Sequence, residues 1–277
     1  MCELFAMSAR FPSGVELSLE EFSRRGGLTG VHKDGWGIAW YEHRDLRLVK
    51  EPSPASSSAC VRFLQAYPLE SALLISHVRK ATQGGLFSRN SQPFARELGG
   101  AWHAFAHNGD LPNLAHAPRF HPTSFRPVGE TDSELAFCVL LDRLRPLWSD
   151  GLPPLGARLS IVTEFARELR RLGIANFLYS DGDAIFAHGH RRHQLDGSIR
   201  APGLWQLARQ CSHGGTFATV GLRITSRADD QRVLLFASVP LTAEGWEPLA
   251  EGEVTVARDG LHVMGELRDM RDAARAI

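Results

Sequence analysis

The chain has 277 residues, 43% hydrophobic and 22% charged, which suits a globular protein of one large domain or two small ones. Thirty-one Lys and Arg balance 31 Asp and Glu, so no net field draws it to nucleic acid or to an anionic membrane. No apolar run approaches the ~18 residues of a membrane span, and Met1-Cys2-Glu3-Leu4 lacks the basic start and long apolar stretch of a signal peptide, so a cytoplasmic protein is expected.

Residues 3–9 are mostly apolar and read as a strand with Cys2 at its leading end. Ser18-Leu19-Glu20-Glu21 forms a capping box that opens a short helix, stopped at Gly26-Gly27. The glycine-rich stretch 26–37 feeds a strand at 38–41, which pairs with 46–49. A phosphate loop would need a Gly-Lys-Ser/Thr ending that opens a helix; Asp34-Gly35-Trp36-Gly37 leads into a strand, and nucleotide binding is set aside. Residues 52–58 are a polar turn and 59–67 helical, followed by buried strands at 73–79 and 102–107, the second running into Asn108-Gly109.

A long apolar helix follows, with Thr131 as N-cap, Glu134 closing a second capping box and Pro146 near its end. In the next helix Ile161, Phe165, Leu169 and Leu172 line one face and Glu164, Arg167, Glu168 and Arg171 the other, with Gly173 as its stop. Such a helix lies on the surface of a sheet. Strand candidates then come at 175–180, 184–188, 216–220 and 232–239, with a closing pair about Asp259-Gly260 and an irregular excursion over 187–215. Strands, then helices, then strands again predict an α+β protein with helices packed on antiparallel sheets. Without a linker or an internal repeat, residues 1–277 read as a single domain.

Cleaving a carboxamide by a covalent route needs an activated nucleophile, a proton shuttle and donors for the oxyanion. Cys2 supplies the first two at once if Met1 is removed, as so small a second residue should allow. An α-amine titrates near ~7.7–8.0 and a thiol near ~8.5, so proton exchange between them is nearly isoenergetic. Alternatively, Cys2 is a small apolar residue opening a strand. The other cysteines, Cys60, Cys138 and Cys211, have neither metal-type spacing nor disulfide density, and reduced thiols are expected.

Asn108-Gly109 taken alone reads first as a tight hairpin turn, but its side-chain amide and glycine N–H also suit an oxyanion hole. Arg79 ends an apolar strand, where burial calls for a carboxylate partner, either structural or on a substrate. Asp132 stands in the first turn of a helix, where it complements the dipole whatever else it does. Together they offer one cation and one anion, as an α-carboxylate and an α-ammonium require. The cluster His188, His190 and His193 lacks a carboxylate or thiolate at ligand spacing and adjoins Arg191-Arg192, so a solvated loop rather than a metal site is expected. His77, His103 and His107 in or beside strands suit core histidines, and they keep a papain-like Cys-His pair open.

In order along the chain, Cys2, the His77-x-Arg79-x-Ala81-Thr82 segment, His107-Asn108-Gly109 and Thr131-Asp132-Ser133-Glu134 resemble the class II glutamine amidotransferases. Cys2-Glu3-Leu4, His32-Lys33-Asp34-Gly35-Trp36-Gly37 and the run from Phe125 to Glu134 resemble its bacterial stand-alone members, with similarity extending to about Thr242. The resemblance implies an N-terminal-nucleophile fold, a four-layer αββα sandwich with two antiparallel sheets. It implies Cys2 as nucleophile and base, Asn108 and Gly109 as oxyanion hole, Arg79 for the substrate α-carboxylate, Asp132 for its α-ammonium, and Thr82 among the substrate-binding residues. Larger synthase-linked members usually carry Trp and His where this chain has Lys80 and Gln83.

The expected activity is hydrolysis of a γ-glutamyl amide, in glutamine or in a γ-glutamyl peptide or metabolite, through a Cys2 thioester, without cofactor or metal. The partner is a small γ-glutamyl substrate, with room for a separate ammonia-accepting or partner subunit; nucleic acid and membrane are not expected. The alternatives are a papain-like thiol hydrolase with a histidine base and a catalytically silent regulatory or interaction subunit.

Overall fold

The structure, a computed structural model, describes residues 2–17, 34–66, 69–219 and 222–263. Met1, the helix expected from Ser18 with its stop at Gly26-Gly27, the glycine-rich stretch up to Lys33, Tyr67 and Val220 lie outside the described residues. Strand β1 (Glu3–Leu17) is longer than the expected 3–9. β2 (Trp36–Glu42) and β3 (Asp45–Glu51) form the expected hairpin, with Ile38 opposite Val49 and Tyr41 opposite Leu46. Helix α1 (Ala59–Ala66) leads to β4 (Leu69–Val78), which pairs with both β1 and β2. β5 (Phe94–Leu98) and β6 (Ala101–Asp110) precede the helices α2 (Asp132–Leu144) and α3 (Leu155–Leu169).

β7 (Ile174–Ser180) and β8 (Ile185–His188) follow, then a small ribbon of β9 (Arg192–His193) and β10 (Ile199–Arg200). The chain continues through β11 (Trp205–Cys211), β12 (Gly215–Thr219), β13 (Leu222–Ser226), β14 (Gln231–Ala237) and β15 (Glu247–Pro248) to the hairpin β16 (Val254–Arg258) and β17 (Leu261–His262). One sheet runs β15-β11-β14-β1-β4-β2-β3, with the β12-β13 hairpin joined to β1; the other runs β17-β16-β8-β7-β6-β5. The pairings in both are antiparallel.

The period-2 pattern of the strands sorts the core into three layers. Leu4 and Ala6 of β1 meet Ala104 and Ala106 of β6 and Leu178 of β7 between the sheets. Small alanines on facing strands let the sheets close on each other. Phe5, Met7 and Ala9 point the other way, joining Trp36, Trp40 and Val61 of α1. Phe105 and Phe177 face the helix layer and pack with Phe137 of α2 and Phe165 of α3. The order is helices, sheet, sheet, helix, the αββα sandwich implied by the family resemblance.

Several expectations change. Asn108-Gly109 is no hairpin turn: β6 continues through both, with Asn108 opposite Asn176 and Gly109 opposite Ala175, because β7 supplies a full ladder of backbone partners. The stretch 187–215 is only partly irregular, since it contains the ribbon and β11, which lies in the sheet beside β14. Glu168 is buried rather than on the solvent face of α3, because Arg119 and Arg143 reach it with ion pairs of 2.9 and 2.8 Å. His188 and His190 are also buried rather than in a solvated loop. His188 Nδ1 lies 2.9 Å from Glu253 O, and the backbone of His190 donates to Asn176 Oδ1 at 2.7 Å.

Candidate active site

Three segments distant in sequence meet at the leading end of β1. Pairing of β1 with β4 sets Glu3 opposite Val78, which brings Cys2 alongside the residues that leave β4. The backbone N–H of Lys80 donates to Cys2 Sγ at 3.2 Å, and the thiol lies 3.3 Å from Lys80 O. Burial pushes the Cys2 thiol up, against the lowering effect of the Lys80 hydrogen bond. Near neutral pH it is therefore a protonated thiol. From the second sheet, the Asn108 side-chain amide donates to Cys2 O at 2.5 Å and to Ser238 Oγ at 3.3 Å.

β6 presents Asn108 because even-numbered residues of that strand face the other sheet. Asn176 Nδ2 donates to Asn108 O at 3.0 Å and fixes its backbone. Gly109 allows β7 to come close: a Cβ there would stand 1.8 Å from Ile174 O. Gly109 φ is not left-handed, so close approach and not turn geometry is what requires glycine.

A buried ion pair missed in the sequence lies beside the thiol. Arg192 Nη2 donates to Glu3 Oε1 at 3.0 Å, both side chains being nearly inaccessible, and Arg192 also donates to Ser238 O. Burial pushes the Glu3 carboxyl up while Arg192 pulls it back. Ser238 Oγ accepts the Leu4 N–H at 3.0 Å. Arg192 and Ser238 thus tie the start of β1 to the end of β14 and, through Asn108, to the second sheet. In the sequence the Arg191-Arg192 pair reads only as a charge that repels cations, and nothing in local pattern joins residue 192 to residue 3.

Arg79 is buried, but its partners are not the expected carboxylate. Its two terminal nitrogens donate to Asp34 O, Gly85 O, Gln83 O and Gly84 O at 2.7–3.3 Å. Carbonyls of a tight loop have taken the guanidinium fork. Glu130 braces that loop, accepting from Gly85 N and Asn90 Nδ2 at 3.1 Å each and pairing with Arg89 at 2.9 Å. Those donors hold its carboxyl down at about 2. Asp34 completes the enclosure by accepting Ala81 N–H at 2.9 Å. Thr82 is exposed on the same loop.

Asp132 opens α2, whose Thr131 cap accepts Glu134 N–H at 3.2 Å. The expected reciprocal half of that capping box is not made: Glu134 instead accepts Val128 N–H at 3.1 Å and Gly129 N–H at 2.6 Å, and pairs with Arg96. Asp132 Oδ1 accepts Ser133 N–H at 2.7 Å, and Oδ2 accepts Leu111 N–H at 2.8 Å. The carboxylate therefore joins the exit of β6 to the first turn of α2. Gln83, Leu111, Pro112, Glu130, Thr131 and Asp132 line an open cleft of about 230 Å³. Arg79 borders it through its hydrogen bond to Gln83 O. The ring nitrogens of His103 lie against Tyr179 Oη (2.7 Å) and Leu98 O (3.2 Å), and those of His107 against Ser133 Oγ (2.9 Å) and Ile174 O (3.2 Å). Among the described residues no group of three or more His, Cys, Asp or Glu forms a metal site, and no helix is long and apolar enough to cross a membrane.

The family model for class II glutamine amidotransferases matches residues 1–275. YafJ of Escherichia coli K12, provisionally named a glutamine amidotransferase, is 37% identical over 257 residues, covering 91% of this chain and 96% of its own. The crystal structure of a predicted glutamine amidotransferase from Pseudomonas aeruginosa superposes with a TM-score of 0.68 at 33% identity, over 95% of this chain and 99% of that one. The glutamine phosphoribosylpyrophosphate amidotransferase of B. subtilis matches 94% of this chain and 48% of its own at 17% identity and a TM-score of 0.55, a likeness of fold alone. With the αββα layering, these likenesses give the N-terminal-nucleophile fold. The chain belongs to the class II glutamine amidotransferases, a family of enzymes acting on amides.

Proposed function

We propose that the protein hydrolyses the γ-glutamyl amide bond of glutamine or of a γ-glutamyl peptide or metabolite, with Cys2 as nucleophile and its own α-amine, freed by removal of Met1, as base. The observation that carries this reading is the bond from the Asn108 side-chain amide to the Cys2 carbonyl oxygen, which brings a hydrogen-bond donor to the residue that bears the thiol. A thiol pushed up by burial gains reactivity when an adjacent amine takes its proton. The thiolate adds to the γ-carbonyl carbon, the C–N bond breaks as the α-ammonium protonates the leaving amine, and water releases glutamate from the thioester.

In this reading the Asn108 hydrogen on the longer contact gives up Ser238 Oγ for the developing oxyanion, while the bond to Cys2 O holds the amide in register. Asp132 retains acceptor capacity for an α-ammonium beyond its two backbone donors. Arg79 offers the substrate carboxylate its charge and its Nε–H, since its terminal N–H groups are engaged. His103 and His107 are disfavoured as the base because both have their ring nitrogens committed elsewhere. The test is release of glutamate from glutamine and from γ-glutamyl dipeptides by wild type and Cys2→Ala. Turnover that survives in Cys2→Ala, or no turnover of any γ-glutamyl amide, refutes the proposal.

A further inference from the structure

One hydroxyl proton is claimed by two acceptors beside the cleft. Ser133 Oγ lies 2.9 Å from His107 Nδ1 and 3.2 Å from Asp132 Oδ1, and it has a single hydrogen to give. The His107 tautomer follows from its other side. Nε2 faces the carbonyl of Ile174 at 3.2 Å, and a carbonyl only accepts, so Nε2 carries the hydrogen of the neutral ring. Nδ1 is then a bare acceptor, and the Ser133 hydroxyl must point to it. Protonating the ring reverses the chain: Nδ1–H donates to Oγ, and the hydroxyl hydrogen turns to Asp132 Oδ1.

We propose that Ser133 is a positioning residue that couples His107 to the amino end of the substrate: the neutral ring holds the hydroxyl proton and leaves Asp132 Oδ1 open to an α-ammonium, whereas the protonated ring sends that proton to Asp132. This rests on the proposed role of Asp132 in binding γ-glutamyl compounds. Among the described residues the charged and titratable groups around the ring are Asp132 on α2, Asp110 at the end of β6, and His188 on β8, which reaches it electrostatically and packs at a tilt against the intervening Phe177. Burial lowers the ring below the ordinary histidine range and outweighs the two carboxylates that raise it. The ring is thus neutral near pH 7, and the protonated arrangement belongs to the acid side. A bound α-ammonium and a ring proton then compete for Asp132 Oδ1, and by linkage each weakens the other.

Two measurements on the whole protein test this. Nitrogen-15 spectra of wild type with labelled histidine, His107 being assigned by His107→Gln, should show an Nε2–H tautomer at pH 7.5; an Nδ1–H tautomer overturns the proposal. The KM for a γ-glutamyl substrate should rise as pH falls, by up to about tenfold per pH unit below the ring's own titration. Acetylating the substrate α-amine should remove that rise, and Ser133→Ala should flatten it while leaving KM near pH 7.5 within about threefold. An identical pH slope with free and acetylated substrate, or an unchanged slope in Ser133→Ala, overturns the coupling. Failure to cleave any γ-glutamyl amide would instead refute the proposed function, and the ring nitrogens would still decide where the proton lies.

Discussion

The Asn108 side-chain amide donates to the carbonyl oxygen of Cys2 at 2.5 Å, joining the two sheets at the point where the chain begins. Its Oδ1 is buried and accepts no hydrogen bond among the described residues, so the amide is held through its donor side alone.

Asn108→Ala should lower kcat by ~10²–10³, the loss typical of one oxyanion donor, with a smaller change in KM. Steady-state kinetics on glutamine and a γ-glutamyl dipeptide check it. A folded variant within about threefold of wild type would reduce Asn108 to a strut between sheets.

Arg192→Met should destabilise the fold by ~3–5 kcal/mol, because it leaves Glu3 buried without its partner. Replacing both, as Glu3→Leu with Arg192→Met, should recover much of that loss, since two charges then no longer need desolvating. Urea unfolding of the single and double variants measures the difference. Equal loss in both would mean that shape rather than charge holds the start of β1.

The layers of this fold were legible because period-2 alternation is local: 3–9, 38–41 with 46–49, and 175–180 all returned as strands. β11 was not, since Gln206, Arg209 and Gln210 interrupt any apolar pattern on a strand close to the sheet edge. Cys2, Arg79, Asn108 and Asp132 stand out in the sequence through ordered motifs, while Glu3, Arg192 and Ser238 do not. Their bonds join residues 189 and 46 apart in sequence, and no spacing rule spans such distances. Asn108-Gly109 shows the opposite failure, a strong local turn signal overruled by the backbone ladder of β7.

Acid should destabilise the protein before its carboxylates titrate. Burial holds His103 and His188 down at about 4 in the fold, against 6.5 when unperturbed. Because the folded value is depressed, the unfolded chain binds more protons below pH 6.5. The stability is fully present above that value and is lost as pH falls towards 4. At pH 5 the loss should be ~2 kcal/mol for each ring. Urea unfolding at pH 7.5 and 5 checks this; equal stability would mean that both rings titrate normally.

Asp132→Asn should weaken binding of γ-glutamyl substrates by ~1–3 kcal/mol, by leaving the α-ammonium without its charged partner. Acetylating the substrate α-amine should then hurt wild type far more than the variant, as kcat/KM for the four combinations would show. Equal penalties would make Asp132 only the link between Leu111 and the first turn of α2.

The most direct test of the account is intact-mass analysis of the purified protein before and after a glutamine-mimicking diazoketone, with the adduct mapped by peptide sequencing. The account predicts a mature chain that begins at Cys2 and a single adduct on that residue. An adduct on Cys60, Cys138 or Cys211, or full activity in a protein that retains Met1, would contradict it.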